Sequence, residues 1–144
     1  MQEKKEKNLG PLLQTPNPEL RTPHSEFRNP QSKKVLLIFP REKGIKFSND
    51  ALYPFPIIGL TLLAALFPKT YDVKIINEAI EKVDFDVDVD LVGITGLTCV
   101  IKRAYAIADR FRQRGVKVIL GGVHPSVLPE EAKEHADAVF LGEA

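Results

Sequence analysis

The chain contains a single cysteine, Cys99, among 144 residues. One thiol cannot form an intrachain disulfide, and by itself it cannot hold a structural zinc ion or an iron–sulfur cluster. The formal net charge is only +1, so no strong field of either sign points to a nucleic-acid partner. We therefore expect a protein of a reducing, cytoplasmic compartment that does not bind nucleic acid.

Long hydrophobic runs are also absent. No apolar segment approaches the roughly 20 residues that cross a membrane, and the charged N-terminus is not followed by the apolar core of a signal peptide. The strongest apolar segment, Ile57 to Phe67, is about half of a membrane span in length and predicts a buried helix. We therefore expect no membrane partner. With 44% hydrophobic residues, the chain suits one globular domain.

Several motifs of catalysis and ion binding are missing. The sequence has no G-x-G-x-x-G after its first apolar strand, no G-x-x-x-x-G-K-[ST] and no G-x-S-x-G. Its acidic alternation VDFDVDVD lacks the glycine and glutamate of a calcium loop, because counting from Asp84 those places hold Val89 and Thr95. The sequence alone places no acid or nucleophile beside His124, and Cys99 is expected to be a small buried residue. We predict no catalytic and no metal-ligating residue in this chain.

Residues 1–32 hold five of the 11 prolines and predict a flexible arm. Over residues 33–144, apolar runs of strand length alternate with helical patterns. Strands are predicted at 34–39, 71–77, 91–95, 116–120 and 138–141; helices are predicted at 56–67, 100–114 and 129–135, with a poorly signalled one within 78–90. This order predicts an α/β protein with a flavodoxin-like, Rossmann-like, doubly wound parallel sheet of five strands in the order 2-1-3-4-5.

In such sheets ligands bind at the carboxyl ends of the strands, near the switch point between the first and third strands. The segments expected there are 40–44, 95–98, 121–126 and 142–143. The last three carry glycine at the turn, most notably the pair Gly121 and Gly122. Glycine lets a ligand approach the backbone closely because no Cβ intervenes.

In this order and spacing the segments resemble the N-terminal cobalamin-binding domain of B12-dependent radical S-adenosylmethionine enzymes. The matching motifs are KKVLLIFP, P-x-x-GL-x-x-LAALF, VKIINE, DLVGITGLT, VILGGVHPSVLPEE and DAVFLGEA. The resemblance implies a corrinoid cofactor, cobalamin, and a radical S-adenosylmethionine domain in cis of the methyltransferase or cyclase type. That domain would bind S-adenosylmethionine and a [4Fe-4S] cluster, for which one cysteine is insufficient. The chain is thus expected to be a fragment or truncated product that binds cobalamin without catalysing.

The resemblance also implies the binding residues. Cobalamin domains of the methionine synthase and mutase type carry D-x-H-x-x-G, S-x-L and a glycine pair. Here Thr95 to Leu97 resemble the second element, and aligning the first on Gly44 places Phe39 at the Asp position and Arg41 at the His position. The implied cofactor has its dimethylbenzimidazole tail buried in the domain and no histidine on cobalt. The predicted cofactor-binding residues are Pro40, Arg41, Gly44, Thr95, Gly96, Leu97, Thr98, Gly121, Gly122, His124, Pro125, Ser126, Gly142 and Glu143.

Two alternatives stay open. The missing histidine and the residues Phe39 and Arg41 are compatible with a corrin-free module of the same fold that docks a partner or substrate. A small signalling or nucleotide-binding domain of flavodoxin-like fold would need an acidic cluster or phosphate loop after the first strand, where Phe39 and Pro40 offer neither.

Overall fold

The computed structural model describes residues 31–41 and 58–142. They form a five-stranded sheet in the order β2-β1-β3-β4-β5, and every neighbouring pair is parallel. The strands are β1 Lys33–Phe39, β2 Tyr71–Asn77, β3 Leu91–Thr95, β4 Lys117–Gly121 and β5 Ala138–Val139; the helices are α1 Ile58–Leu66, α2 Ile101–Gln113, α3 Val123–Val127 and α4 Pro129–His135. The predicted fold class and strand order are therefore confirmed.

Burial explains why the sequence specifies this sheet. The central strand β1 buries four consecutive residues, Val35 to Ile38, because it is covered on both faces. On one face Leu36 and Ile38 pack with Phe111 of α2, and on the other Val35 and Leu37 pack with Leu60 of α1. The sheet is consequently doubly wound, as expected.

Residues 78–90 do not form the helix that was suggested there; they run as turns and irregular chain. The apolar residues of this segment alternate with acidic ones, so Val83 and Val89 reach the core while their neighbours remain in solvent. Arg114 donates hydrogen bonds to the carbonyl oxygens of Phe85 and Val87, which fixes the segment against the end of α2. A period of two residues is incompatible with a helix, which needs 3.6.

Other details of the fold also differ from expectation. Strand β5 ends at Val139, and the loop expected after β4 contains the short helix α3. The prediction that the segment 57–67 is a buried helix is wrong for α1. Only Leu60 of α1 is buried, whereas Ile58, Leu62 and Leu66 are 55–69% exposed; among the described residues, α1 packs on β1 and β2.

No helix among residues 31–41 and 58–142 is long and apolar enough to cross a membrane. The predicted arm, apart from Gln31 and Ser32, and the predicted start of the first helix lie outside the described residues.

Asp137, at the amino edge of the sheet, supplies a prediction about pH. Its carboxylate accepts hydrogen bonds from the Val118 amide and from Lys117 Nζ, both at 3.0 Å. The bond from Val118, followed by that from Lys117, lowers the pKa of Asp137 below its usual 3.8. Because the folded-state pKa is the lower one, the stabilisation is present above about pH 4 and is lost as the pH falls through the folded-state pKa.

We expect Asp137→Asn to lower the free energy of unfolding by about 1 kcal/mol or less at pH 7, since the group is near the surface. The difference from the wild type should shrink below pH 4 in urea denaturation curves. Glu134→Gln, which removes an exposed carboxylate, controls for the change in net charge. A difference that stays constant from pH 7 to pH 2 would show that ionisation of Asp137 is not the cause.

Candidate functional site

The loops after β3, β4 and β5 are joined by hydrogen bonds at the carboxyl edge of the sheet. The Gly96 amide donates to the Gly121 carbonyl at 2.8 Å, and the His124 amide donates to the Gly96 carbonyl at 3.0 Å. The Gly142 amide donates to Ser126 Oγ at 2.9 Å. The structure thus brings these three predicted segments together.

Two of the predicted glycines are explained by contacts within the protein. A Cβ on Gly122, whose φ is +94°, would lie 2.7 Å from Thr95 Oγ1 and 3.1 Å from the Gly96 nitrogen. A Cβ on Gly96 would lie 2.8 Å from Ile101 Cδ1 and 3.0 Å from Pro125 Cδ. Glycine was expected here for the approach of a ligand, but at these two positions other groups of the protein make the close approach.

Gly121 has a different environment. A Cβ there would lie 3.5 Å from Phe140 Cβ, which is an ordinary contact. Successive residues of β4 face opposite sides of the sheet. Val118 and Leu120 face the core, so Gly121 lies on the other face. Near it are exposed apolar side chains, which are Val123 at 60%, Phe140 at 47% and Leu141 at 58% exposure. An apolar surface beside an accessible backbone is suited to binding a flat apolar group.

His124 is buried, with 7% of its surface exposed. Its Nδ1 lies 3.2 Å from Thr98 Oγ1 and its Nε2 lies 3.4 Å from Glu131 Oε1. Both ring nitrogens therefore face protein groups from the loop after β3 and from α4. This position supports a role in shaping the loop after β4.

Tyr105 of α2 lies near His124, with ring centroids 6.4 Å apart. Its ring stacks on His135 with centroids 4.1 Å apart, and among the described residues its buried hydroxyl makes no hydrogen bond. Burial, together with the nearby carboxylate of Glu131, raises the pKa of Tyr105 to about 12. The phenol consequently stays neutral at physiological pH, and its ring contributes to packing.

The remaining predicted residues differ in how far they are exposed to solvent. Ser126 Oγ donates to the Gly122 carbonyl at 2.8 Å, in addition to accepting from Gly142, and Pro125 is fully buried. Leu97 is half-buried and Thr98 is exposed, so these two present surface at the edge. Gly44 and Glu143 lie outside the described residues.

Glu78 and Arg103 were missed as site residues by sequence reasoning. Arg103 Nη2 donates to Glu78 Oε1 at 2.6 Å, and Glu78 Oε2 accepts the Arg41 amide at 3.0 Å. Both residues lie at the carboxyl edge, where Glu78 follows β2 and Arg103 is in the first turn of α2. An acidic residue directly after an apolar strand, in VKIINE, was the available signal.

Cys99 is exposed, so the expectation that it is buried is wrong; the short 3-10 turn Thr98–Val100 directs Val100, not Cys99, into the core. Over residues 31–41 and 58–142, no group of three or more His, Cys, Asp or Glu side chains could hold a metal ion.

Comparison with known proteins shows the family to which the chain belongs. The family model of the B12 binding domain matches residues 49–144. The chain therefore belongs to the B12 binding domain family. No solved structure matches it significantly.

Three curated relatives are methyltransferases. Bacteriochlorophyllide d C-8(2)-methyltransferase of Chlorobaculum tepidum is 46% identical over 88 residues, which cover 60% of this chain and 20% of that protein. The C-12(1)-methyltransferase of the same organism is 35% identical, over 77% of this chain and 25% of that protein. An uncharacterised methyltransferase of Pyrococcus horikoshii is 33% identical, over 76% of this chain and 27% of that protein. The chain thus spans about a quarter or less of the length of these relatives.

Proposed function

We propose that this chain is the cobalamin-binding domain of a radical S-adenosylmethionine enzyme of the methyltransferase type. The observation that carries the proposal is the accessible backbone of Gly121, flanked by exposed apolar side chains at the carboxyl edge, in a member of the B12 binding domain family. Methyl transfer is favoured over cyclisation because the relatives are named methyltransferases.

The residues at this edge fit a corrinoid with a detached nucleotide tail. Gly121 and Phe140 would contact the flat dimethylbenzimidazole ring, while Leu97, Thr98 and Gly142 would contact its sugar and phosphate. When bound, the cofactor would supply a cobalt centre that accepts and donates methyl groups. The residues of this chain would bind and orient it and exclude water.

We further propose that cobalt receives no histidine ligand from this domain. Arg41 stands where the ligating histidine of other cobalamin domains aligns. The two histidines of the described residues are held elsewhere, His124 between Thr98 and Glu131 and His135 against Asp109 at 3.0 Å. These contacts support binding of cobalamin with its cobalt unligated by His.

The parent protein would be cytoplasmic and would contain a radical S-adenosylmethionine domain in cis. That domain would bring S-adenosylmethionine and a [4Fe-4S] cluster, since one cysteine cannot hold the cluster here. The lengths of the relatives support a further domain, because this chain covers only 20–27% of them.

The proposal is tested by adding hydroxocobalamin to the 144-residue chain and following corrin absorbance through gel filtration. We expect the corrinoid to co-elute with the wild type. Gly121→Val should weaken binding about tenfold or more, because methyl groups would occupy the space of the ligand, while thermal unfolding changes little.

Gly59→Val on α1 is the control for the same substitution away from this edge, since among the described residues a Cβ at Gly59 meets nothing within 4 Å. It should leave cobalamin binding unchanged. A corrin-free protein peak under saturating ligand would refute the proposal. A partner captured equally well by wild type and Gly121→Val would then favour the corrin-free docking module.

A further inference from the structure

Glu78 holds the backbone on both sides of Pro40, at the point where β1 ends. The Glu78 amide donates to the Phe39 carbonyl at 3.1 Å, and its Oε2 accepts the Arg41 amide at 3.0 Å. Pro40 between these two contacts is fully buried. Backbone groups of Lys33 and Phe39 face β2, and by the alternation along a strand so does the Arg41 amide. The side chain of Glu78 therefore extends the pairing of β1 with β2 to Arg41.

Arg103 fixes the orientation of this carboxylate. Its Nη2 donates to Oε1 at 2.6 Å, and its Nε lies 3.1 Å from Oε2 and 3.2 Å from Oε1. The guanidinium therefore engages both oxygens, a geometry that restricts the rotation of the carboxylate. Through this pair the ends of β1 and β2 are tied to the first turn of α2.

The burial of this pair sets it apart from an ordinary surface ion pair. The side chain of Glu78 is 8% exposed and that of Arg103 34%, whereas Asp88, which pairs with Lys34, is 91% exposed. Burying a carboxylate costs solvation, so a buried pair is weak evidence of a purely stabilising role. Fixing a particular backbone position is a role that an apolar pair could not fill.

That backbone position is the switch point. Strand β1 pairs with β2 on one side and with β3 on the other, and ligands of doubly wound sheets bind where the carboxyl ends of such strands meet. A loosely held end of β1 would have to be ordered when a ligand binds, which reduces affinity.

We propose that Glu78 is a positioning residue for the corrinoid. Held by Arg103, it fixes the backbone at Pro40 and Arg41, and this fixed edge sets how tightly the site retains the cofactor. The inference rests on the proposed function and extends it to two residues that do not themselves need to touch the ligand.

Three variants of the 144-residue chain separate positioning from stability. Glu78→Gln keeps an oxygen that can accept the Arg41 amide. Glu78→Met leaves the Arg103 guanidinium without its carboxylate and should lower the thermal midpoint. The double variant Glu78→Met/Arg103→Met replaces both charges by apolar groups, so its midpoint should recover relative to Glu78→Met. In the double variant, however, the Arg41 amide loses the Glu78 oxygen that accepts its hydrogen bond.

Two quantities are measured for each variant, the dissociation constant for hydroxocobalamin and the rate of amide hydrogen exchange at Arg41. For hydroxocobalamin, the dissociation constant of the double variant should rise about tenfold over wild type despite its recovered midpoint, while that of Glu78→Gln stays within about threefold. Amide hydrogen exchange at Arg41, measured without ligand, should accelerate about tenfold in the double variant and little in Glu78→Gln. Asp88→Asn, at the amino edge, is the control and should change neither quantity.

Wild-type affinity in the double variant would overturn the proposal, because the pair would then be only structural. Unchanged exchange at Arg41 would also overturn it, because Glu78 would not be holding that amide. If the wild type itself binds no corrinoid, the proposed function fails together with the cofactor role of Glu78, and the exchange measurement still reports whether the pair holds the end of β1.

Discussion

Gly122→Ala should lower the free energy of unfolding by about 3 kcal/mol or more. Gly122 has φ +94° and ψ −169°, a region that essentially only glycine adopts and that costs other residues about 1–3 kcal/mol. The added Cβ would also lie 2.7 Å from Thr95 Oγ1 and 3.2 Å from the Gly96 carbonyl oxygen, and such overpacking costs about 1–3 kcal/mol more. Urea denaturation at pH 7 measures the change.

The neighbouring Gly121→Ala is the matched control. Gly121 does not have a positive φ, and its Cβ would make only ordinary contact with Phe140. We expect a change within about 0.5 kcal/mol, because substitution at a compatible site also reduces the entropy of the unfolded chain. Equal destabilisation by the two variants would contradict the assignment of Gly122 to protein packing.

Phe111→Ala should cost about 3–5 kcal/mol. Phe111 is fully buried, and its ring lies 5.4 Å from that of Phe85 in the core that α2 forms with the sheet. Removing it leaves a cavity that the β-strands on one side cannot close, since they are fixed by their ladders. The loss is measured from the denaturation midpoint and slope.

Phe140→Ala removes the same side chain from a site that is 47% exposed and should change stability by less than about 1 kcal/mol. Because Phe140 borders the accessible backbone of Gly121, the variant should nevertheless weaken cobalamin binding. A large loss of stability with normal binding would contradict both assignments.

The two glycines at the end of β4, Gly121 and Gly122, therefore have different roles. Gly122 is required by contacts with Thr95 and Gly96, whereas a Cβ at Gly121 would make only an ordinary contact with Phe140. Ser126 and His124 hold the same loop through their own hydrogen bonds. In our proposal the packed half of the loop provides a rigid wall, and the open half receives the cofactor tail.

The sequence by itself determined the strands and their order. Parallel strands covered on both faces need continuous apolar residues, as in Val35 to Ile38, so the pattern is visible locally. The alternation in residues 83–89 was equally visible, and its period of two residues is that of extended chain, yet a poorly signalled helix was suggested within residues 78–90.

Only the tertiary structure decided what the glycines and charges contact. Gly121 and Gly122 are the same residue type. Their different tolerance of a Cβ arises from backbone torsion and from a loop that is distant in sequence. The bond of Glu78 to Arg103, 25 residues apart, depends on how α2 lies on the sheet. Side-chain contacts between separate elements are set by packing geometry, which local pattern does not encode.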